Sequence, residues 1–222
     1  MLTLYSKMTR PDAPWHIYIE GDGLAWLSYI QPSPDPTPQN PVALQLAAQD
    51  LHPNVAYLAR PCQYTPVALN PVCATPEYWT RKRVAPEVIQ ALSDVIDRLT
   101  AQTKGQSVAL WGYSGGATLA LWLAAERDDV TYVTTVAGNV DPDAVSRHHK
   151  VSILDNTEAF KALWPKIAQI PQTHWVGRYD TVIPPFITEQ FVINLRTLTT
   201  APQFIQMREV KTNHGHWEGV GQ

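Results

Sequence analysis

The feature that most limits how this chain can fold is the pentapeptide Gly-Tyr-Ser-Gly-Gly at residues 112–116, which has the form G-x-S-x-G. An apolar run, residues 107–111, precedes it, and strong helix formers at 117–125 follow directly. This order predicts a strand, a sharp turn and a helix, with the serine lifted clear of a sheet and its Oγ exposed. Ser114 is therefore the candidate nucleophile. The alternative is an ordinary turn in which Ser114 caps the helix.

The rest of the chain alternates between strand-like and helix-like segments. Further strands are predicted at residues 15–19, 55–59, 130–136, 173–177 and 204–210, and helices at 42–48, 86–99 and 186–198. Such alternation predicts one α/β domain over residues 1–222, with a mostly parallel sheet covered by helices on both faces. The connection from 136 to 173 is about 36 residues long, which allows one or two helices and a minimal cap.

Composition excludes several classes of function. The 222 residues, 45% of them hydrophobic, are enough for one substantial core. The formal net charge is -3, and the longest basic run, residues 81–83, is interpreted as a solvated approach to a helix, so nucleic acid is not an expected partner. No stretch approaches the roughly 20 apolar residues of a membrane span, and residues 1–7 lack the pattern of a signal peptide.

Cys62 and Cys73 are the two cysteines, and their pairing is open at this stage. A disulfide between them would close a loop of about a dozen residues and stabilise the fold by roughly 3 kcal/mol. It would also imply an oxidising compartment, periplasmic or secreted. Two free thiols would instead suit a cytoplasmic enzyme. Neither cysteine has a CxxC partner, and no metal site is predicted.

A serine nucleophile needs a base and a carboxylate that orients the base, and for this turn the expected chain order is Ser, acid, His. Asp180 is the favoured acid because it follows the strand at 173–177 in a loop bounded by Gly177 and two prolines. Its alternative role is that of a turn or helix N-cap residue. Asp141, which also follows a predicted strand, is the rival acid.

His214 is the favoured base, since it comes first after the last predicted strand in a loop that contains a glycine. His216 is the alternative; if the loop were extended, the two rings would point to opposite sides. A metal-binding pair is discounted because H-x-H needs further ligands. His148 and His149, which basic residues flank, are interpreted as solvated.

An oxyanion hole requires two backbone donors where negative charge develops. One is expected to be the amide of Gly115, and the second the amide of Asp22 or Gly23 in the turn at residues 20–23, whose alternative reading is a plain turn. Aromatic side chains could line the site or pack in the core. They are Trp26, Tyr64, Tyr113, Trp164 and Trp217, of which Trp26, Tyr113 and Trp217 are assigned to substrate.

Six motifs, taken in order, resemble the α/β-hydrolase superfamily across nearly the whole chain. They are EGDGLAW at 20–26, RPCQY at 60–64, GYSGG at 112–116, AGNVD at 137–141, GRYD at 177–180 with a Pro-Pro pair at 184–185, and HGHWE at 214–218. They look like a group of small bacterial serine hydrolases, often exported or lipid-anchored. The resemblance implies the α/β-hydrolase fold, supports His214 as base, and favours a Cys62–Cys73 bridge.

The expected function is a serine hydrolase that cleaves carboxylic esters of short to medium acyl chain through an acyl-enzyme on Ser114. A small-molecule ester is the expected partner, and no cofactor is implied. A peptidase, amidase or acyltransferase would use the same triad, so these remain alternatives. A non-catalytic binding module on the same fold is the alternative from another class. The oligomeric state does not follow from the sequence.

Overall fold

A seven-stranded sheet is the centre of the fold, which this computed structural model describes over residues 1–217. The strands are β1 (Leu4–Met8), β2 (Trp15–Ile19), β3 (Asn54–Leu58), β4 (Val108–Tyr113), β5 (Val130–Val136), β6 (Gln172–Gly177) and β7 (Ile205–Val210). The helices are α1 (Val42–Gln49), α2 (Pro86–Thr100), α3 (Gly116–Glu126), α4 (Pro142–His149), α5 (Thr157–Ala162), α6 (Trp164–Ile167) and α7 (Pro185–Arg196).

The strand order is β1-β3-β2-β4-β5-β6-β7. Every neighbouring pair is parallel except β1 and β3, which are antiparallel. The predicted fold class, a mostly parallel sheet with helices on both faces, is confirmed. Strand β1 was not predicted, because all five of its residues are exposed at the edge of the sheet and leave no alternation of apolar residues in the sequence.

The helices bury apolar side chains on both faces of the sheet. On one face α2, whose residues were predicted to be helical, contributes an apolar stripe that includes Val88, Leu92 and Ile96 to a core that it shares with α3, α6 and α7. Helix α3 lies over β4 and β5 and beneath α2 and α6, so it is apolar on nearly all sides. Helix α1 packs on β2 and β3 on the opposite face.

The connection between β5 and β6 contains α4, α5 and α6, of which the last two have six and four residues. The sequence predicted one or two helices here, and helices this short leave little periodicity to recognise. No large cap is formed in this connection. Among residues 1–217, no helix has the length and apolar character that crossing a bilayer requires.

The segment after β3 contains the cysteine pair. Cys62 and Cys73 form a disulfide, so the alternative of two free thiols is wrong. Three short 3-10 turns fill residues 67–79, where the sequence predicted an irregular loop. Along with the half-buried Tyr78, the bridge packs against the buried side chains of Ala25 and Trp79, which ties this segment to the loop after β2.

The basic run at residues 81–83, which was predicted to be solvated, is solvated only in part. Arg81 and Lys82 pair with Glu77 near the surface. Arg83 turns inward and pairs with Asp22, and its side chain is 18% exposed. The interpretation of a solvated triplet is therefore wrong for Arg83, because the half-buried carboxylate of Asp22 replaces water around its guanidinium.

Candidate active site

Ser114 lies on a sharp turn between β4 and α3. Its φ is 49°, a left-handed conformation that is strained for a non-glycine residue. The turn is held because the Ser114 amide donates to the Val136 carbonyl at 3.0 Å and its carbonyl accepts from the Asn139 amide at 2.8 Å. A Cβ at Gly112 would lie 2.5 Å from the Cα of Ala117, which explains why the strand must present a glycine to the helix.

Three predicted side chains meet at this turn. His214 Nε2 lies 3.1 Å from Ser114 Oγ, and His214 Nδ1 lies 2.8 Å from Asp180 Oδ2. An ionised carboxylate can only accept hydrogen bonds, so Nδ1 carries the proton and donates to Asp180. Nε2 is then the acceptor for the Ser114 hydroxyl. The arrangement can remove the Ser114 proton as Oγ attacks an electrophile.

Asp180 combines the two roles that were alternatives for it. Its Oδ1 accepts the amides of Val182 and Ile183, each at 2.8 Å, as an aspartate does in a turn. Its Oδ2 is thereby directed at His214, and the side chain is fully buried. The rival Asp141 is elsewhere: it caps α4 by accepting the Ala144 amide at 3.0 Å, and it lines a cleft between α4 and α7 that does not include Ser114.

The loop that carries His214 is anchored through its backbone. The His214 carbonyl accepts from the Tyr113 hydroxyl at 3.0 Å and from the Trp217 indole at 2.7 Å. Trp217, which the sequence analysis assigned to substrate, is 4% exposed and packs in the core beside α1. Its polar Nε1 makes burial possible by donating to the loop. Trp217 therefore supports the histidine loop.

His216, His148 and His149 form no hydrogen bond with Ser114 in the part of the chain that the structure describes. His216 Nδ1 lies 2.7 Å from Asn213 Oδ1 at the exposed edge of the same loop. His148 and His149 are exposed at the end of α4, as expected, although His149 Nε2 donates to the Val182 carbonyl at 2.7 Å. Within residues 1–217 there is no group of three or more potential ligands arranged for a metal ion. Glu218, the last residue of the HGHWE motif, lies outside the described residues.

The amides of Gly115, beside Ser114, and of Asp22, in the loop after β2, have no protein acceptor among residues 1–217, and the same holds for the amide of Gly23. Gly21 brings the second into range, since a Cβ on Gly21 would lie 3.1 Å from the Cβ of Ser114. Gly23 is placed differently. Its φ is 66°, and a Cβ there would collide with the Pro36 carbonyl oxygen, whereas the Cβ position of Gly21 lies against Ser114. The Asp22 amide, which follows Gly21 directly, is therefore the better placed of the two candidates.

A charged cluster that is largely shielded from solvent borders these amides. The Asp22 carboxylate pairs with Arg60 through Oδ1 and with Arg83 through Oδ2. Burial alone would raise the pKa of Asp22, but the two guanidiniums lower it below its ordinary value, so the group is ionised. The neighbouring Glu20 is fully buried, and burial raises its pKa. The sequence indicated neither arginine; residues 60–64 stood out only as part of a family-like motif.

The remaining aromatic residues divide between the site and the core. The Tyr113 ring lies 5.3 Å from the His214 ring, and burial raises the pKa of its phenol, which stays a neutral donor. Trp26 is 42% exposed in the loop after β2, where it pairs with Pro32. Trp164 packs edge-on against Phe191 and lines the α4–α7 cleft, so it is not beside Ser114.

No protein-family model matches the sequence, and no curated protein matches it significantly. Solved structures match its fold. A protein of unknown function from Agrobacterium tumefaciens, described as a candidate α/β-hydrolase, superposes with a TM-score of 0.63 at 16% identity, covering 96% of this chain and 82% of that one. An esterase from Pyrococcus furiosus superposes with a TM-score of 0.56 at 11% identity, covering 96% and 83%.

A third similar structure is the acylaminoacyl peptidase of Pyrococcus horikoshii, with a TM-score of 0.65 at 14% identity. The match covers 97% of this chain but 36% of the peptidase, so the chain spans about a third of that protein. At these identities the likeness concerns the fold. The chain has the α/β-hydrolase fold, as the resemblance of its motifs implied.

Proposed function

We propose that this protein is a serine hydrolase in which Ser114 is the nucleophile, His214 the general base and Asp180 the residue that orients the imidazole. The observation that carries the proposal is the continuous contact from Ser114 Oγ to His214 Nε2 at 3.1 Å and from His214 Nδ1 to Asp180 Oδ2 at 2.8 Å. These are the distances that proton transfer requires. The strained turn between β4 and α3 at Ser114, here called the elbow, supports the same assignment.

The reaction follows from these positions. As Ser114 Oγ bonds to a carbonyl carbon, its proton passes to His214 Nε2, and Asp180 stabilises the imidazolium. The carbonyl oxygen becomes an oxyanion that the amides of Gly115 and Asp22 stabilise. The bond to the leaving oxygen then breaks, and His214 returns the proton to it. A water molecule repeats the sequence on the acyl-enzyme and releases the acid.

Small carboxylic esters are the proposed substrates, with acyl chains of short to medium length. The short helices of the β5–β6 connection form no large cap over the site, which supports an open, shallow site. The esterase among the similar structures supports the same class of reaction. The disulfide supports residence in an oxidising compartment, the periplasm or the exterior of the cell.

The test is hydrolysis of a series of p-nitrophenyl esters with increasing acyl length. Ser114→Ala and His214→Ala are expected to abolish turnover, whereas His216→Ala, which removes only the contact with Asn213, keeps it. Labelling by a fluorophosphonate, with the modified peptide identified by mass spectrometry, reports Ser114 directly. The matching p-nitroanilides separate ester from amide cleavage. No turnover and no labelling of the wild type would contradict the proposal and favour a binding module.

A further inference from the structure

We propose that Gln63 and Arg60 are positioning residues for the oxyanion hole, which together fix the direction of the Asp22 amide. The inference rests on the proposed function, because it concerns the same site. Neither of these two side chains hydrogen-bonds to Ser114 in the described structure. Both come from the turn after β3 and are buried, at 1% and 4% exposure. Each binds a different part of the loop that follows β2.

Gln63 acts on the peptide unit that carries the donor. Its Nε2 donates to the Gly21 carbonyl at 3.0 Å. The peptide bond between Gly21 and Asp22 is planar and trans, so the carbonyl of the first and the N–H of the second point in opposite directions. A hydrogen bond that holds the Gly21 carbonyl therefore also holds the Asp22 N–H, without touching it.

Arg60 acts on the side chain of the same residue. One arm of its guanidinium pairs with Asp22 Oδ1, and the other donates to the Arg83 carbonyl at 2.6 Å. Arg83 in turn pairs with Asp22 Oδ2. The forked guanidinium is suited to such a two-directional contact, which a lysine cannot reproduce. The Asp22 carboxylate is thus held from both sides.

The ion pairs of Asp22 with Arg60 and Arg83, here called the clamp, lie against Gly115, whose amide is the other proposed donor. A Cβ on Gly115 would collide with Asp22 Oδ1 and would lie 2.7 Å from Arg60 Nη1. The ion pair therefore packs directly on the backbone whose amide is the first donor. It consequently sets the separation between the Gly115 and Asp22 amides, on which stabilisation of an oxyanion depends.

The loop after β2 needs such support because two of its four residues, 20–23, are glycines, which lose the most freedom on ordering. The turn that provides the support is itself held. The Arg60 amide donates to Gln63 Oε1 at 3.0 Å, which ties the two positioning residues together. Cys62 lies between them, with a φ of 73°, and is linked to Cys73.

The experiment uses Gln63→Met, which keeps the volume and removes both amide hydrogen bonds, and Arg60→Lys, which keeps the charge and removes the fork. Active sites are counted by fluorophosphonate titration, so that kcat refers to folded enzyme. We expect kcat per site to fall about 10- to 100-fold in each variant, with KM within about threefold, because the lost interaction is made in the transition state. The inhibition constant of a short alkylboronic acid, whose adduct with Ser114 is tetrahedral, is expected to rise in parallel with the loss of kcat/KM.

Gly115→Ala provides an independent variant, because it keeps the amide and displaces the clamp. Its effect on kcat is expected to overlap with that of Arg60→Lys, so that the double variant is less impaired than the product of the two single losses. The matched controls are Arg81→Lys and Gln90→Met, at exposed positions of the neighbouring segment and of α2, with kcat per site unchanged.

If Gln63 and Arg60 had a purely structural role, their variants would have a lower titrated fraction or melting temperature. Their kcat per site and their inhibition by the boronic acid would stay within about twofold of the wild type. That result would overturn the inference. The proposed function fails by a different result, the absence of wild-type turnover and of Ser114 labelling, which would overturn both. Wild-type turnover with unchanged positioning variants would overturn the inference alone.

Discussion

The two carboxylate oxygens of Asp180 have different partners, and only one of them contacts His214. Oδ1 accepts the amides of Val182 and Ile183, and Oδ2 accepts the Nδ1 proton of His214 at 2.8 Å. The two hydrogen bonds from the loop amides fix the carboxylate plane independently of the contact with the imidazole. The orientation of His214 is therefore determined by the loop after β6 as much as by its own loop.

Asp180→Asn is expected to lower kcat by about 10³- to 10⁴-fold, because an amide cannot stabilise the imidazolium and favours the wrong imidazole tautomer. The fold should persist, since the asparagine oxygen still accepts the two loop amides. Ester hydrolysis per titrated site is the measurement. Asp141→Asn is the control, because asparagine also caps a helix and α4 should keep its stability. An equal loss of activity in both variants would contradict the assignment.

Trp217→Phe is expected to lower kcat about 2- to 10-fold, as one of the two hydrogen bonds that hold the His214 carbonyl is removed. Because Trp217 is buried in the core, the order of preference among acyl chains should stay the same. The measurement is kcat/KM over a series of p-nitrophenyl esters. Trp122→Phe, on the opposite face of the sheet, is the control. A changed chain-length preference would show that Trp217 contacts substrate.

Replacement of both cysteines, Cys62→Ala with Cys73→Ala, is expected to lower the free energy of unfolding by about 3 kcal/mol, because the loop closed over a sequence separation of 11 gains freedom in the unfolded chain. Urea denaturation checks this. Reductant should lower the wild-type midpoint toward that of the variant and leave the variant unchanged. A wild-type midpoint that is insensitive to reductant while the thiols are shown to be free would contradict the prediction.

His174 predicts a loss of stability in acid. It is fully buried between Thr135 and Gln172, and burial lowers its pKa to about 3, with a smaller contribution from Arg196. Between pH 6.5 and about 3 the unfolded chain binds a proton at this position and the native state does not. The free energy of unfolding should therefore fall as the pH falls, by about 1.4 kcal/mol per pH unit.

Urea denaturation between pH 7 and 4.5 measures that slope, above the range in which most carboxylates titrate. His174→Gln should be less stable at pH 7 and show a flatter dependence on pH. His148→Gln, at an exposed position, should keep the wild-type slope. His52, whose pKa is also lowered by burial, contributes a smaller part that both variants retain. Equal slopes in all three proteins would contradict the prediction.

Local patterns in the sequence account for much of the fold. The helix stripe of α2 and the strand-turn-helix at Ser114 depend on residues close in the chain, whose spacing is written in the sequence. Strand β1 was missed because exposed edge residues carry no such pattern, and α5 and α6 because they are short. For another reason, the sequence left open the choice between the Asp22 and Gly23 amides and did not show that Trp217 is buried. Both depend on which side of a loop faces the core.

The sequence by itself determined the position of the elbow, the parallel sheet and the order in which serine, acid and histidine occur, because each is a matter of neighbouring residues. Only the tertiary structure decided that His214 faces Ser114 while His216 contacts Asn213, and that Arg60, Gln63 and Arg83 hold the loop after β2. These contacts join residues far apart in the chain. They arise where the ends of parallel strands converge, and no local spacing encodes that convergence.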